Sequence, residues 1–277
     1  MAAAIAIGLL GQTACALCNT GATDRTDAGH EGGGCVDPDD AASAPDRVAH
    51  DRLVEDAGPL LPCPDDMVEV GVFCADRYEA SRDDATSEIQ GELETVARSR
   101  RNVIPWHVEQ MSEQALVTFG QACAAAGKRL CLPDEWLELC SGPENSLYGF
   151  SGAFSAEICN CVDTFCDDYC AEQEIPLESC NVYADCGYSC GLQSPPSGVR
   201  CYHVMPTGSF PSCTSSHGAY DVSGNVWEVV PSTIDPRGYE VRGGAFNCAS
   251  AAARLMCTYN AGWTLLNAGF RCCLDRR

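Results

Sequence analysis

The stretch that decides the fold is Val241–Cys273, VRGGAFNCASAAARLMCTYNAGWTLLNAGFRCC. It opens on a glycine pair, spends four cysteines and closes on an aromatic-arginine-cysteine run. Two glycines after an apolar residue and an arginine mark backbone that passes close to something or takes a positive φ. Cysteines on both sides of such a turn either tie it to other parts of the chain or expose a thiol there. Which of the two Cys248 does is the main question the sequence poses.

Working outward, 277 residues suffice for one large domain or two small ones with ample core, and an apolar share of 45% is ordinary for a globular chain. A formal charge of −22 argues against nucleic acid and anionic membrane surfaces as electrostatic partners, and is compatible with divalent cations. The 21 cysteines set the compartment. At this density they are staples of an oxidising environment, so the chain is expected to be secreted, periplasmic or at a cell surface. A zinc array is the competing reading. With five histidines and no C-x2-C pair recurring at finger spacing, disulfides are the better one.

Residues 1–20 carry a short apolar run followed by small residues and read as a signal-peptide-like segment, too short to span a membrane. Cys15, after Gln-Thr-Ala, is a candidate for an N-terminal lipid anchor, although glutamine stands where an aliphatic residue is expected there. Residues 21–60 are rich in Asp, Ala, Gly and Pro and read as an acidic disordered linker. Order is expected over 61–277, with a cysteine-rich insertion at about 159–201 that few aliphatics accompany.

Within the ordered part, Met67–Cys74 alternates and is β-branched, which predicts a strand pair or hairpin that Cys63 and Cys74 would close into a small loop. Asp76–Ala80 continues it with polar groups, and Asp83–Asn102 reads as a surface excursion. A helix is predicted over Ser112–Ala126, capped by Ser112, with Leu116, Phe119, Cys123 and Ala126 on one face. Gly127 ends it, with Lys128 and Arg129 near the C-terminal dipole. A second helix begins at Pro133, buries Trp136, Leu139 and Cys140, and stops at Gly142-Pro143. Trp136 reads as core.

Four motifs in order, GKRLCLPDEWLELC (Gly127–Cys140), AYDVSGNVWEVV (Ala219–Val230), VRGGAFNC (Val241–Cys248) and AGFRCC (Ala268–Cys273), resemble the formylglycine-generating enzyme, or sulfatase-modifying factor, family. MVEVGVFCADRYEAS (Met67–Ser81) resembles that domain's first strand. The resemblance implies an α+β fold, a disulfide-rich variant of the C-type-lectin fold with little regular secondary structure. It also implies calcium bound by Asp221 and Glu228 carboxylates with Gly224 and Val226 carbonyls, and a first calcium site drawing on Asn160. Oxygen-only ligation suits calcium, and alternate carbonyls of an extended segment point the same way. A solvated turn capped by Asp221 and Glu228 is the competing reading.

The resemblance further implies bridges from Cys123 to Cys272 and from Cys140 to Cys257; Cys131 with Cys273 is a guess among the extra cysteines. Of the 21 cysteines, three precede Cys63, and the remaining 18 are an even number that a fully paired domain would need. Catalytic members oxidise a sulfatase cysteine to formylglycine with oxygen and copper(I), using two cysteines five residues apart. Cys248 matches the first, but Ala253 stands at the second position and Ala245 replaces the serine of the turn. Copper(I) wants two soft thiolates. Relatives using non-haem iron need clustered imidazoles, whereas His30, His50, His107, His203 and His217 are scattered.

Three functions follow as expectations: an exported, calcium-stabilised module, degenerate in catalysis, that binds a protein, peptide or glycan; a formylglycine-generating oxidase, with copper, whose site is rewired through Cys248 and a cysteine of the insertion; or a structural cell-envelope protein.

Overall fold

A computed structural model describes residues 59–155, 157–162, 164, 170–172, 174–176, 203–248, 254–260 and 267–277. Pro62–Arg276 forms one compact unit; of the other, Met1–Leu61 with Arg277, only residues 59–61 and 277 are described. The signal-like segment, Cys15, almost all of the linker, Ala253 and most of the cysteine-rich insertion lie outside the described residues.

The unit mixes two helices with short strands in three small sheets. Strand β1 (Met67–Val70) turns through Gly71 and Val72 into β2 (Phe73–Asp76), with Val70 opposite Phe73, so the alternating run forms a two-residue hairpin. Cys63 and Cys74 are bonded and close it. β2 pairs antiparallel with β9 (Cys272–Asp275), and β9 with β5 (Arg129–Leu130), giving the order β1-β2-β9-β5. The excursion after Arg82 is not wholly surface: Arg98–Ser99 returns as β4 against β3 (Ala80–Ser81), and Ala97 is buried. In the third sheet, β6 (Trp227–Pro231) lies antiparallel to β7 (Tyr239–Arg242) and parallel to β8 (Ala268–Phe270).

Helix α1 spans Glu113–Ala125, and the Ser112 hydroxyl accepts the Ala115 N–H at 3.2 Å. Its inner face is built from Ala115, Phe119, Ala122 and Cys123; Leu116 and Ala126, expected there, are only half-buried. The small residues let α1 approach the sheet closely enough for Phe119 to stack on Phe270, ring centres 4.2 Å apart, with Trp106 edge-on to both. Lys128, expected near the α1 dipole, reaches away to Asp76 at 2.6 Å and Asp66 at 2.8 Å, because a buried carboxylate offers more than a screened helix end. Helix α2 (Pro133–Ser141) buries Trp136, Leu139 and Cys140, packing them with Val68, Phe73, Val222 and Val230.

Five disulfides have both halves described: Cys63–Cys74, Cys123–Cys272, Cys131–Cys273, Cys140–Cys257 and Cys159–Cys213. Cys123–Cys272 fastens α1 to β9 and Cys131–Cys273 fastens the end of β5 to it; Cys140–Cys257 links α2 to the loop before β8. Among the described residues no helix is long and apolar enough to cross a membrane.

Candidate functional site

The glycine pair of the deciding stretch earns its place sterically. Gly243 has φ +84°, and a Cβ there would lie 2.8 Å from the Val222 carbonyl and 3.1 Å from the Trp136 ring. Gly244, at φ +76°, would meet Leu255 at 2.7 Å. The close approach brings the turn after β7 against α2 and the Asp221–Glu228 segment, where the Gly243 carbonyl accepts the Gly224 N–H at 2.8 Å.

That contact lies beside a buried polar centre. Glu228 is 1% exposed, and both its oxygens are taken. Arg271 donates to them from Nη2 at 2.6 Å and from Nε at 3.0 and 3.2 Å, and Trp136 donates its indole N–H at 2.7 Å. Arg271 also donates to the carbonyls of Asp76 (2.8 Å) and Tyr220 (2.7 Å). Trp136 is therefore core and a polar anchor at once. Glu79, fully buried, accepts from the Asn225 side-chain amide at 2.6 Å and the Val226 N–H at 3.1 Å. Asp221 accepts the Gly208 N–H at 2.6 Å. Asn160 is drawn in through its carbonyl, which accepts the Asn225 N–H at 2.9 Å, and its amide, which donates to Asn225 Oδ1 at 2.8 Å and the His203 carbonyl at 2.9 Å.

Carboxylates outnumber cations here, and the electrostatics follow. Burial pushes the Asp221 carboxyl up to about 7, with Glu228 nearby adding to it, against the pull of the Gly208 N–H and Arg271. Glu79 is raised well above the usual carboxylate range by burial and then by the charges of Asp221 and Glu228. Asp76 rises to about 6 through burial, although Lys128 and Arg271 oppose it.

The residues expected to hold calcium, Asn160 and the Asp221–Glu228 segment, come together in this neighbourhood. Arg271 supplies positive charge against Glu228, both of whose oxygens accept hydrogen bonds. Among the described residues no three His, Cys, Asp or Glu converge in a metal-holding group. Asn160 Oδ1 is a buried side-chain oxygen without a hydrogen-bond partner. Sequence reasoning passed over Glu79, Asn225 and the ionic role of Arg271. The available signal was a carboxylate flanked by strand-forming residues in Tyr78-Glu79-Ala80, where burial demands a partner.

Cys248 is fully buried, as are Ala245 and Phe246 in the same turn. Its N–H donates to the Ala245 carbonyl at 2.9 Å, and its own carbonyl accepts the Val162 N–H at 3.3 Å. The residue before Val162 is Cys161, also fully buried, so the first part of the insertion runs against the active-loop position. The histidines stay apart in role: His107 is buried with Nδ1 2.8 Å from the Pro105 carbonyl, and burial lowers its pKa to about 4. His203 is drawn to Asn160 through its carbonyl, and His217 lies 3.7 Å from Glu138.

No family model matches the chain, and no curated protein matches it. Among solved structures, CarF aligns at 13% identity and TM-score 0.41, over 79% of this chain and 95% of that one. PvdO from Pseudomonas aeruginosa aligns at 12% and 0.39, over 73% and 80%. Treponema denticola variable protein 1 aligns at 11% and 0.38, over 78% and 93%. TM-scores near 0.4 carry no assignment.

Proposed function

We propose that this chain is an exported, disulfide-stapled binding module built on the sulfatase-modifying-factor variant of the C-type-lectin fold, with the oxidase chemistry lost. The observation that carries the reading is the complete burial of Cys248 with Ala245 and Phe246. A cysteine that oxidises a cysteine in another protein has to meet it, and the Cys248 side chain is enclosed. Ala253 at the position of the second cysteine removes the soft partner that copper(I) needs. Function lives in sites rather than folds, so an intact scaffold without its site points to recognition of a protein, peptide or glycan. The five described bridges support an oxidising compartment for that role, and the surplus of acid argues against nucleic acid as its partner.

The test is to incubate the purified chain with copper(I), oxygen and a Cys-x-Pro-x-Arg peptide and follow the peptide by mass spectrometry. The peptide is expected to remain unchanged; conversion of its cysteine to formylglycine would overturn the reading. Calcium held by the Asp221–Glu228 segment belongs to the same reading, and a chelator is expected to lower the melting temperature. An unchanged melting temperature on chelation would count against calcium at this segment.

A second reading, oxidase activity through a rewired pair, is favoured by the Val162–Cys248 hydrogen bond, which sets Cys161 beside the active-loop strand of chain. It requires thiols at both Cys161 and Cys248. Peptide mapping that finds either one in a disulfide removes it.

A further inference from the structure

The five described bridges are not equally shielded. Nine of their ten cysteines are exposed by 1% or less, whereas Cys63 is only half-buried. Cys63 also lines a surface cavity of about 300 Å3, together with Asp65, Glu69, Arg77 and His217. Arg77 is held there by its own bond from Nη2 to the Met67 carbonyl at 3.1 Å. Arg77 sets a guanidinium in the wall that also carries the half-buried Cys63, where it offsets the Asp65 and Glu69 carboxylates of the same lining. Access decides which disulfide sulfur a thiolate attacks, and exposed bridges are the labile ones.

We propose that Cys63–Cys74 is a thiol-exchange site whose ligand class is a low-molecular-weight thiol entering this cavity. The incoming thiolate attacks Cys63 Sγ; a new S–S bond forms to Cys63 as the bond to Cys74 breaks. Cys74 leaves with the electron pair and takes up the proton that the incoming thiol released on ionising. The product is a mixed disulfide on Cys63 and a thiol on Cys74. A second equivalent of thiol completes the reduction, and return attack by Cys74 restores the bridge. Arg77 acts as a positioning residue for the incoming thiolate. Because the bridge spans only the β1–β2 hairpin, with a sequence separation of 11, exchange opens one edge of the sheet and leaves the α1, α2 and β5 staples in place.

The experiment exposes the folded full-length chain to 2-mercaptoethanol without denaturant, quenches with iodoacetamide at intervals, and maps cysteines by peptide mass spectrometry. Modification at Cys63 and Cys74 is expected about tenfold or more ahead of Cys123–Cys272, Cys131–Cys273, Cys140–Cys257 and Cys159–Cys213. Reaction of all five at a common rate, or of any of the other four first, overturns the proposal. Arg77→Gln is expected to slow the Cys63 adduct severalfold with the melting temperature unchanged; an unchanged rate removes Arg77 from the site. Should that variant not fold, the wild-type time course decides alone.

Discussion

Phe270 and Arg271 are chain neighbours that serve opposite centres. Phe270 enters an apolar one, stacked on Phe119 and edge-on to Trp106, with the Cys123–Cys272 bridge nearby in sequence. Arg271 enters an ionic one, among Glu228, Asp76 and Tyr220, with Glu79 and Asp221 close by. Both side chains are 0–1% exposed. The apolar centre gains from every atom buried and tolerates small shifts at modest cost. The ionic centre returns its desolvation penalty only while every partner is present. One extended run can thus hold two cores together because successive side chains of a strand point to opposite faces.

The sharpest way to break the comparison is Arg271→Met. It strands Glu228 beside two other buried carboxylates and is expected to cost about 3–5 kcal/mol in urea unfolding, where a loss under about 1 kcal/mol would show the centre to be dispensable. Adding Glu228→Leu should return part of that loss, since a pair removed together leaves no buried charge; further destabilisation by the second change would refute the pairing. On the apolar side, Cys123→Ala with Cys272→Ala is expected to cost about 2–5 kcal/mol by thermal or denaturant unfolding.

A pH series then separates the centres. Asp221 has a folded pKa of about 7, above its ordinary value, so its contribution is fully present at low pH and is lost as pH rises through 7. Asp76 behaves likewise through about 6. His107 works the other way: its folded pKa of about 4 costs stability as pH falls below its ordinary 6.5. Around pH 7 the carboxylates outweigh the fading His107 contribution, so the melting temperature should decline with rising pH and level off above about pH 8. Asp221→Asn, which keeps an acceptor for the Gly208 N–H, should flatten that decline; an unaltered slope would clear Asp221 of responsibility. The smallest effect belongs to the surface pair Arg98–Asp83, both side chains about half exposed at 48% and 49%. Asp83→Ala should cost less than about 1 kcal/mol.

The two centres also differ in how far the sequence disclosed them. Alternation in Met67–Cys74 and helical spacing around Phe119 and Trp136 are local signals, and the hairpin, α1 and α2 follow from them with small changes at the edges. Leu116 was misplaced because side-chain size argued for burial, while Ala115 and Ala122 allow the closer packing. The ionic centre has no period. Glu79, Asp221, Glu228 and Arg271 meet across as many as 192 residues of chain, and only the fold shows that Arg271 pairs with Glu228. Motif reading gathered Asp221, Gly224, Val226, Glu228 and Asn160 into one neighbourhood, but a motif does not say which charge balances another.

The arrangement of β9 sets a schedule for making the protein. Cys272 and Cys273 pair with cysteines 149 and 142 residues earlier. At ~5–20 residues per second, α1 and β5 wait roughly 7–30 s after their own synthesis before their partners exist. Throughout that interval Cys123 and Cys131 are exposed to earlier and later cysteines that are not their own. A chain laid out this way depends on a compartment that reshuffles disulfides as well as forming them, and its yield should track isomerase supply more closely than oxidant supply.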